Sequence, residues 1–336
     1  MTDTVSHRPD GETLDGASVL VTGGTGTLGR GIVTALLERT AARRVIVLSR
    51  DEHKQWAMEE EFAGLGHGAR TRFFIGDVRD GKRLRLAFNG VDVVIHAAAM
   101  KHVAAAEFNP FEAVQTNILG SQNLIEAAIE AGVKRVLAVS TDKASNPVSL
   151  YGATKLVGDR MFLHGNAYLG ARDGAFAVIR FGNLSGSRGS IVPKFREMAA
   201  AGRVLPVTDP EATRYWVAVR DAATQVLSAV TDMRGGELFV PKAPSVKVGD
   251  LVAAIAPGAE TRVVGLRPGE KKHEELIGVH DAPHTIDQGD RYVITTSVKY
   301  DGIVGRLVDS GFVYTSENNP LWLSAEELSA MVGSGS

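Results

Sequence analysis

The stretch TGGTGTLG at residues 22–29 constrains the fold more than anything else in the chain. It sets Gly23, Gly26 and Gly29 at three-residue spacing, after the apolar run ASVLVTGG (17–24) and before the helical pattern LGRGIVTALLERT. Gly23 permits a tight turn, Gly26 lets backbone amides approach a pyrophosphate, and Gly29 allows the helix to pack closely on the strand. At the first strand–helix junction of a βαβ unit, such a turn reads as a dinucleotide cradle. Thr25, Thr27 and Leu28 belong to the same turn and are candidate cofactor contacts.

Further apolar, β-rich runs follow at 43–50, 71–78, 91–99, 134–141 and 176–183. Helical patterns separate them, the longest from Pro110 to Ala131. Nearly continuous apolar strands alternating with helices predict an α/β fold, a doubly wound parallel sheet of the Rossmann type covered on both faces. Its ligand belongs at the carboxyl ends of the strands. We expect the Rossmann domain over residues 17–184, with 215–242 returning to it through VAVRDAATQVLSAV and the strand GELFVPK. Residues 185–214 and 243–330 predict a smaller C-terminal α+β lobe that grips substrate. Residues 1–16 read as an N-terminal arm and 331–336 as a disordered tail.

Composition excludes several classes. The 336 residues carry a net charge of -2, so no overall field draws the chain to nucleic acid or an anionic membrane. There is no cysteine, which removes disulfides, thiolate catalysis and cysteine-ligated metals. No apolar run reaches the roughly eighteen residues of a membrane span, and the polar start has no signal-peptide pattern, so a cytoplasmic protein is expected. Histidines and carboxylates show no spacing such as His-Glu-x-x-His, and no metal is expected.

The second strand ends LSRDEHK, where Ser49, Arg50 and Lys54 offer a hydroxyl and two cations, with Asp51 among them. An acid here holds a ribose 2'-hydroxyl, whereas a phosphate favours arginine, so the pattern predicts NADP. Lys54 reads equally well as a solvated helix charge. Asp77 and Val78, in GDV after the third strand, are placed beside adenine, and Ala97 and Ala98 of HAAA along the cofactor's middle. Tyr151 and Lys155 have the Tyr-x-x-x-Lys spacing that puts both on one helix face. A cation near the phenol pulls its pKa down from about 10. Tyr151 then takes a proton from a substrate hydroxyl while hydride leaves the same carbon. Just upstream stand Asp142 and Lys143, in STDKASNPVSLYGATK. On the residues alone these two can also pair with each other or cap the following turn.

With these motifs in place the chain resembles the extended short-chain dehydrogenase/reductases. SRDEHKQ, GDVRD, HAAAMKHV, NPFEAVQTNILG, STDKASNPVSLYGATK, RFGNLSGSRGSIVPKF, TRYW, ELFVPK and RPGEKKHE narrow the resemblance further. Together they are similar to the inverting UDP-N-acetylglucosamine 4,6-dehydratases, from about residue 17 to residue 277. Retaining sugar-nucleotide dehydratases have Asp-Glu where this chain has Asp142-Lys143. The resemblance implies that Tyr151 deprotonates the sugar 4-hydroxyl and hydride passes to a tightly bound NADP. Lys143, as a neutral amine, then removes the C5 hydrogen, and Asp142, protonated, gives its proton to the departing 6-hydroxyl. Hydride returns to C6, C5 is reprotonated from the opposite face, and the cofactor ends as it began. Thr141 and Lys155 complete the implied catalytic set. Lys101, Lys155 and the nicotinamide are expected to supply the positive charge that lowers the pKa of Lys143, and an apolar cleft to keep Asp142 protonated.

The resemblance also implies that Asn183 contacts the nucleotide diphosphate, that Lys101, Thr141 and Ile191 lie near sugar or phosphate, and that Lys101 and Leu184 lie near the cofactor. A UDP-sugar needs cations, for which Arg188 in GSRGS and Arg267 in RPGEK are the best candidates. Thr208 and Arg214 are suggested by the loop PVTDPEATRYW. Tyr215 and Trp216 read as core, and His102 as a partner of Lys101 or a packed histidine. A homo-oligomer, dimer or hexamer, is expected from the same resemblance. The rival readings are a related dehydratase or epimerase acting also at C3 or C4, a net oxidoreductase, and a non-catalytic NADP-binding regulator. The retained Tyr-x-x-x-Lys pair speaks against the last.

Overall fold

The computed structural model describes residues 13–187, 190–295 and 303–333. Strand β1 (Ser18–Thr22) is wholly buried, because its Val-Leu-Val centre has no polar face to turn outward. The glycine turn leads into α1 (Thr27–Arg39), and then β2 (Arg44–Ser49), α2 (Glu52–Gly64), β3 (Thr71–Ile75), α3 (Gly81–Ala87) and β4 (Val93–His96) alternate.

The helix expected from Pro110 is present but interrupted. After the short α4 (Val103–Phe108), α5 (Pro110–Val114) begins with proline in its first turn. A π-turn occupies Gln115–Leu119, and α6 (Gly120–Ala131) completes the run. There the N–H of Gly120 donates to the Gln115 carbonyl, one residue further back than in an α-helix. Asn117 of this turn is buried and accepts from the Met100 N–H while donating to the Met100 carbonyl and the Thr154 hydroxyl. It fastens the loop after β4 to the helix that follows β5 (Arg135–Thr141).

That helix, α7 (Leu150–Gly165), returns to β6 (Ala175–Phe181), and β7 (Asn183–Leu184) starts the departure from the sheet. Next come α8 (Ile191–Ala200), β8 (Leu205–Val207), β9 (Thr213–Val217), α9 (Val219–Asp232) and β10 (Glu237–Pro241). The chain then forms β11 (Ser245–Lys247), α10 (Val248–Ile255), β12 (Thr261–Val263) and β13 (Glu275–Ile277). It closes with β14 (Thr285–Asp287), β15 (Arg291–Thr295), β16 (Arg306–Leu307), β17 (Tyr314–Thr315) and α11 (Ala325–Gly333).

The large sheet runs β3-β2-β1-β4-β5-β6-β10 in parallel, so chain order reverses between β1 and β4. A dinucleotide crosses a doubly wound sheet at such a switch point. Beyond β10 the sheet continues antiparallel through β15, β14 and β16. Here the structure differs from the sequence reading, which put β14, β15 and β16 in the smaller lobe. The reason is an edge: β10 pairs with β6 through two positions, and β15 occupies its other side from Glu237 to Pro241. Elements α8, β8, β9, α10 and α11 enclose a second core that includes Phe195, Trp216, Leu251 and Leu328.

Two further boundaries move. Leu14 is packed in the main core and Asp15 accepts from the Ala41 N–H, so these two residues, expected in a loose arm over 1–16, belong to the fold. At the other end α11 carries through residues 331–333, with Val332 buried and its carbonyl accepting from Arg196. Residues 1–12 and 334–336 lie outside the described residues.

At the end of β4, His96 is fully enclosed, with Nδ1 2.8 Å from the Thr22 hydroxyl. Burial, and then the charge of Lys155, push its pKa down to about 3. The unfolded chain therefore binds this proton more readily, so the stability is present above the ordinary histidine pKa and is lost as pH falls. Going from about pH 7 to about pH 5 should cost roughly 2 kcal/mol through this group. Urea unfolding of wild type and His96→Asn at both pH values checks it: the variant should show a smaller pH slope, whatever its offset.

Candidate active site

A cleft of about 1360 Å³ follows the carboxyl ends of β1, β2, β4, β5 and β6 and continues onto α8, β8, β9 and α10. Its lining includes every site residue expected from the sequence except Arg188, which lies outside the described residues. Gly23 has φ +65°, and a Cβ there would stand 2.8 Å from the Ala98 nitrogen. A Cβ on Gly29 would stand 2.2 Å from the Gly23 carbonyl oxygen. The turn therefore presses backbone against backbone. Gly26 at the start of α1 provides no side-chain cap, which leaves backbone N–H groups for an anion. This cradle fits a dinucleotide pyrophosphate.

At the adenosine end, Gln55 donates to the Ser49 hydroxyl (3.0 Å) and carbonyl (2.9 Å). The Asp51 carboxylate accepts from the Lys54 N–H at 3.0 Å and pairs with the Lys54 ammonium. Those hydrogen bonds hold Asp51 below the usual carboxylate range. Arg50 is exposed and stands 3.7 Å from Asp77, which Arg79 holds more closely at 2.8 Å. The acid after β2 thus caps α2, and two cations share the cleft wall with it.

The end of the cleft where catalysis is expected is built on the turn Asp142–Ala144 and the start of α7. Ser149 caps α7 by accepting from the Gly152 N–H, and Gly152 sits so close to the turn that a Cβ would lie 2.2 Å from the Lys143 carbonyl oxygen. Asp142 is fully buried, and its Oδ1 accepts from the Thr141 hydroxyl (2.8 Å) and Lys143 Nζ (3.0 Å). Its Oδ2 finds no partner among the described residues. Lys143 Nζ also lies 3.1 Å from Oε1 of Glu274, a buried carboxylate on the segment before β13. Burial opposes the Lys143 charge, but Asp142 and Glu274 outweigh it and hold the amine above the usual lysine range. This corrects the expected environment: the groups acting on Lys143 are two carboxylates and the more weakly felt Arg214, rather than Lys101 and Lys155.

Tyr151 is buried, which pushes its pKa up to about 12, while the Lys143 charge and the Thr141 hydroxyl pull the other way. Lys143 is thus the principal cation acting on the phenol, where Lys155 was expected. Lys155 donates to the Val139 carbonyl at 2.9 Å, and burial holds its ammonium below the usual range despite Asp159.

On the far wall, register pairing sets Asn183 of β7 against Trp216 of β9. Asn183 Oδ1, Trp216 Nε1 and Ser190 Oγ are buried without a partner among the described residues, and all three residues line the cleft. Unmet polar atoms on a cleft wall mark places for ligand hydrogen bonds. Trp216, read as core, is therefore core and cleft wall at once, whereas Tyr215 stays in the core against Tyr314. Arg214 donates to Glu270 (2.9 Å) and to the carbonyls of Thr213 and Lys272. The Thr208 hydroxyl donates to Glu270 at 3.2 Å, and Arg267 opens the loop that carries Glu270. Lys101 donates to the Ser187 hydroxyl at 3.1 Å. His102 is exposed at the start of α4, not packed. Sequence reasoning missed Glu274, although it is the last letter of RPGEKKHE; nothing in its spacing ties it to Lys143, which only the folded chain brings within 3.1 Å. No group of three or more metal-ligating side chains occurs among the described residues, and no described helix is long and apolar enough to cross a membrane.

The 3-2-1-4-5-6 sheet, the glycine turn and the Tyr-x-x-x-Lys helix define an extended short-chain dehydrogenase/reductase. The sequence profile of the family described as polysaccharide biosynthesis protein matches residues 19–296, and the chain belongs to that family. An inverting UDP-N-acetylglucosamine 4,6-dehydratase of Campylobacter jejuni is 46% identical over 323 residues, 93% of this chain and 96% of that one. The X-ray structure of Pen from Bacillus thuringiensis superposes with a TM-score of 0.88 at 34% identity, covering 96% of this chain and 98% of that one. DesIV, a dTDP-glucose 4,6-dehydratase from Streptomyces venezuelae with NAD and TYD bound, gives a TM-score of 0.66 at 26% identity, covering 76% and 86%.

Proposed function

We propose that the protein catalyses the inverting 4,6-dehydration of UDP-N-acetylglucosamine, giving a UDP-2-acetamido-2,6-dideoxy-4-keto-hexose with the opposite configuration at C5. The observation that carries this reading is the Asp142–Lys143 pair, 3.0 Å apart beside Tyr151, in the cleft that also holds the glycine turn. The C. jejuni relative of that name supports it. A bound nicotinamide dinucleotide supplies an acceptor and then a donor for the hydride that moves from C4 to C6. We favour NADP, because Arg50 and Lys54 flank the adenosine end while Asp51 is engaged in capping α2. Lys155 adds a cation to the same cleft.

The chain's own chemistry is proton management. Tyr151 takes the proton of the 4-hydroxyl, and the adjacent Lys143 charge lowers the cost of the phenolate. The salt-bridged Asp142 and Lys143 and the acid–base pair that elimination needs differ only in where one proton sits. Transfer from Nζ to Oδ1 leaves a neutral amine and a protonated carboxyl, and a closed, dry cleft favours the uncharged form. Lys143 then takes the C5 proton and Asp142 gives its proton to the 6-hydroxyl. Asn183, Ser190 and Trp216 offer unmet polar atoms to the nucleotide, and Lys101, Ile191, Thr208 and Arg267 line the remaining approach. The exposed Phe108 and Phe111 support assembly into a homo-oligomer, and a cytoplasmic location goes with the reading.

The test is incubation with UDP-N-acetylglucosamine in deuterium oxide, followed by mass spectrometry and NMR. The expected product has lost water, carries deuterium at C5 and the original C4 hydrogen at C6, and is inverted at C5. Retained C5 configuration refutes the lysine base; lasting build-up of reduced cofactor indicates a net oxidoreductase. Release of NADP rather than NAD from denatured protein is the expected cofactor result.

A further inference from the structure

Glu274 is 2% exposed and does not line the cleft. Its Oε1 lies 3.1 Å from Lys143 Nζ and 3.7 Å from Arg214 Nε, and its Oε2 has no partner among the described residues. Ser316 fixes its backbone from both sides, accepting from the Glu274 N–H at 2.9 Å and donating its own N–H to the Glu274 carbonyl at 2.8 Å. Ser316 in turn bonds the hydroxyl and carbonyl of Thr213, next to Arg214. A buried carboxylate this short of hydrogen bonds is unfavourable by itself, so its rigid placement behind a lysine calls for a function.

We propose that Glu274 is a positioning residue for the elimination step, holding the Lys143 amine in place and setting the pH window in which the Asp142–Lys143 pair carries one proton. This rests on the dehydratase reading above. In that step the C5–H bond breaks, its proton goes to Lys143 Nζ, and its electron pair becomes the C5–C6 π bond. The C6–O bond breaks with its electrons on oxygen, which takes the Asp142 proton and leaves as water. Until the Asp142 proton has passed to the leaving oxygen, Asp142 is not a full anion, and Glu274 Oε1, 3.1 Å from Nζ, gives the ammonium forming there a carboxylate throughout the step. Glu274 is placed for this, on a segment separate from the Asp142 turn.

The charged and titratable groups around the pair are Glu274 itself, Tyr151 on the helix after the turn, Arg214 and Tyr215 on β9, Glu270 and Lys271 on the segment leading into β13, and Glu275 at its start. Glu274→Gln keeps the shape and an oxygen acceptor but removes one negative charge. Both protons of the pair should then leave at lower pH. The bell-shaped pH profile of kcat is expected to move down by about one pH unit on both limbs. KM for the sugar nucleotide should change less than about threefold, because Glu274 does not touch the cleft. In substrate-free protein carrying isotope-labelled lysine, the Lys143 Nζ resonance should titrate at correspondingly lower pH. Glu274→Asp, which keeps the charge, should put both limbs back.

Unmoved limbs with altered amplitude alone would overturn the proposal, as would an unmoved Nζ titration in Glu274→Gln or limbs still displaced in Glu274→Asp. If wild-type protein removes no water from UDP-N-acetylglucosamine, the dehydratase reading is what fails, and the Nζ titration still decides whether Glu274 governs the Lys143 charge.

Discussion

Replacing Lys143 with alanine should lower the rate of water loss by about a thousandfold or more, the scale of a removed general base. The change should fall in kcat, with KM nearly constant, because the amine acts on a C–H bond that becomes acidic only after C4 is oxidised. Tyr151 remains but loses the cation that favours its phenolate, so proton removal at the 4-hydroxyl should slow without stopping, and reduced cofactor should accumulate to at most one equivalent per site after substrate is added. Near-ultraviolet absorbance measures that directly. The variant also leaves Asp142 and Glu274 buried without their shared cation. The folded state should lose about 3 kcal/mol, as when one partner of a buried pair is removed. Thermal unfolding separates this loss from the catalytic one. Dehydration at the wild-type rate in Lys143→Ala would rule out the lysine base.

Gly29→Ala should be nearly as damaging by a different route. The added Cβ would lie 2.2 Å from the Gly23 oxygen and 2.8 Å from the Gly24 Cα, and backbone cannot rotate away as a side chain can. Either α1 moves off β1 or the turn opens. Overpacking of this kind costs about 3 kcal/mol at its upper end. If that falls on the bound conformation of the turn, dinucleotide affinity drops roughly a hundredfold. Calorimetric titration with NADP and with NAD measures it, and near-normal affinity would show that the turn is not the pyrophosphate cradle.

The parts of the molecule that sequence revealed are those whose cause is local. The glycine turn, the apolar strands up to β6 and the Tyr151–Lys155 face each depend on neighbours within a turn or two, so spacing alone exposes them. Asp142 and Lys143 were legible as a pair with two possible uses, and the structure shows them joined in a salt bridge. Glu274 was not legible, because its meaning depends on β13 being brought against the Asp142 turn by contacts far apart in the chain. The antiparallel β14, β15 and β16 were misplaced for a similar reason: short strands look the same whichever sheet they join, and only the open side of β10 decides. Trp216 was read as core since burial dominates a large aromatic, and its unmet N–H appears only when β7 lies beside it.

Strands β10 and β15 are neighbours in the sheet, with Pro241 opposite Arg291, yet the polypeptide between them makes β11, α10, β12 and β13 before coming back. The elements on this excursion, which bring Val248, Leu251, Arg267 and Glu270 to the cleft, are thus an insert anchored at both ends in the large sheet. The length of such an insert can change without disturbing the parallel strands that carry the glycine turn, but recoding its last part also replaces the carboxylate behind Lys143. A chimera exchanged between those two anchor strands should therefore keep its glycine turn, and keep the surroundings of Lys143 only where the donor also has a carboxylate at the position of Glu274.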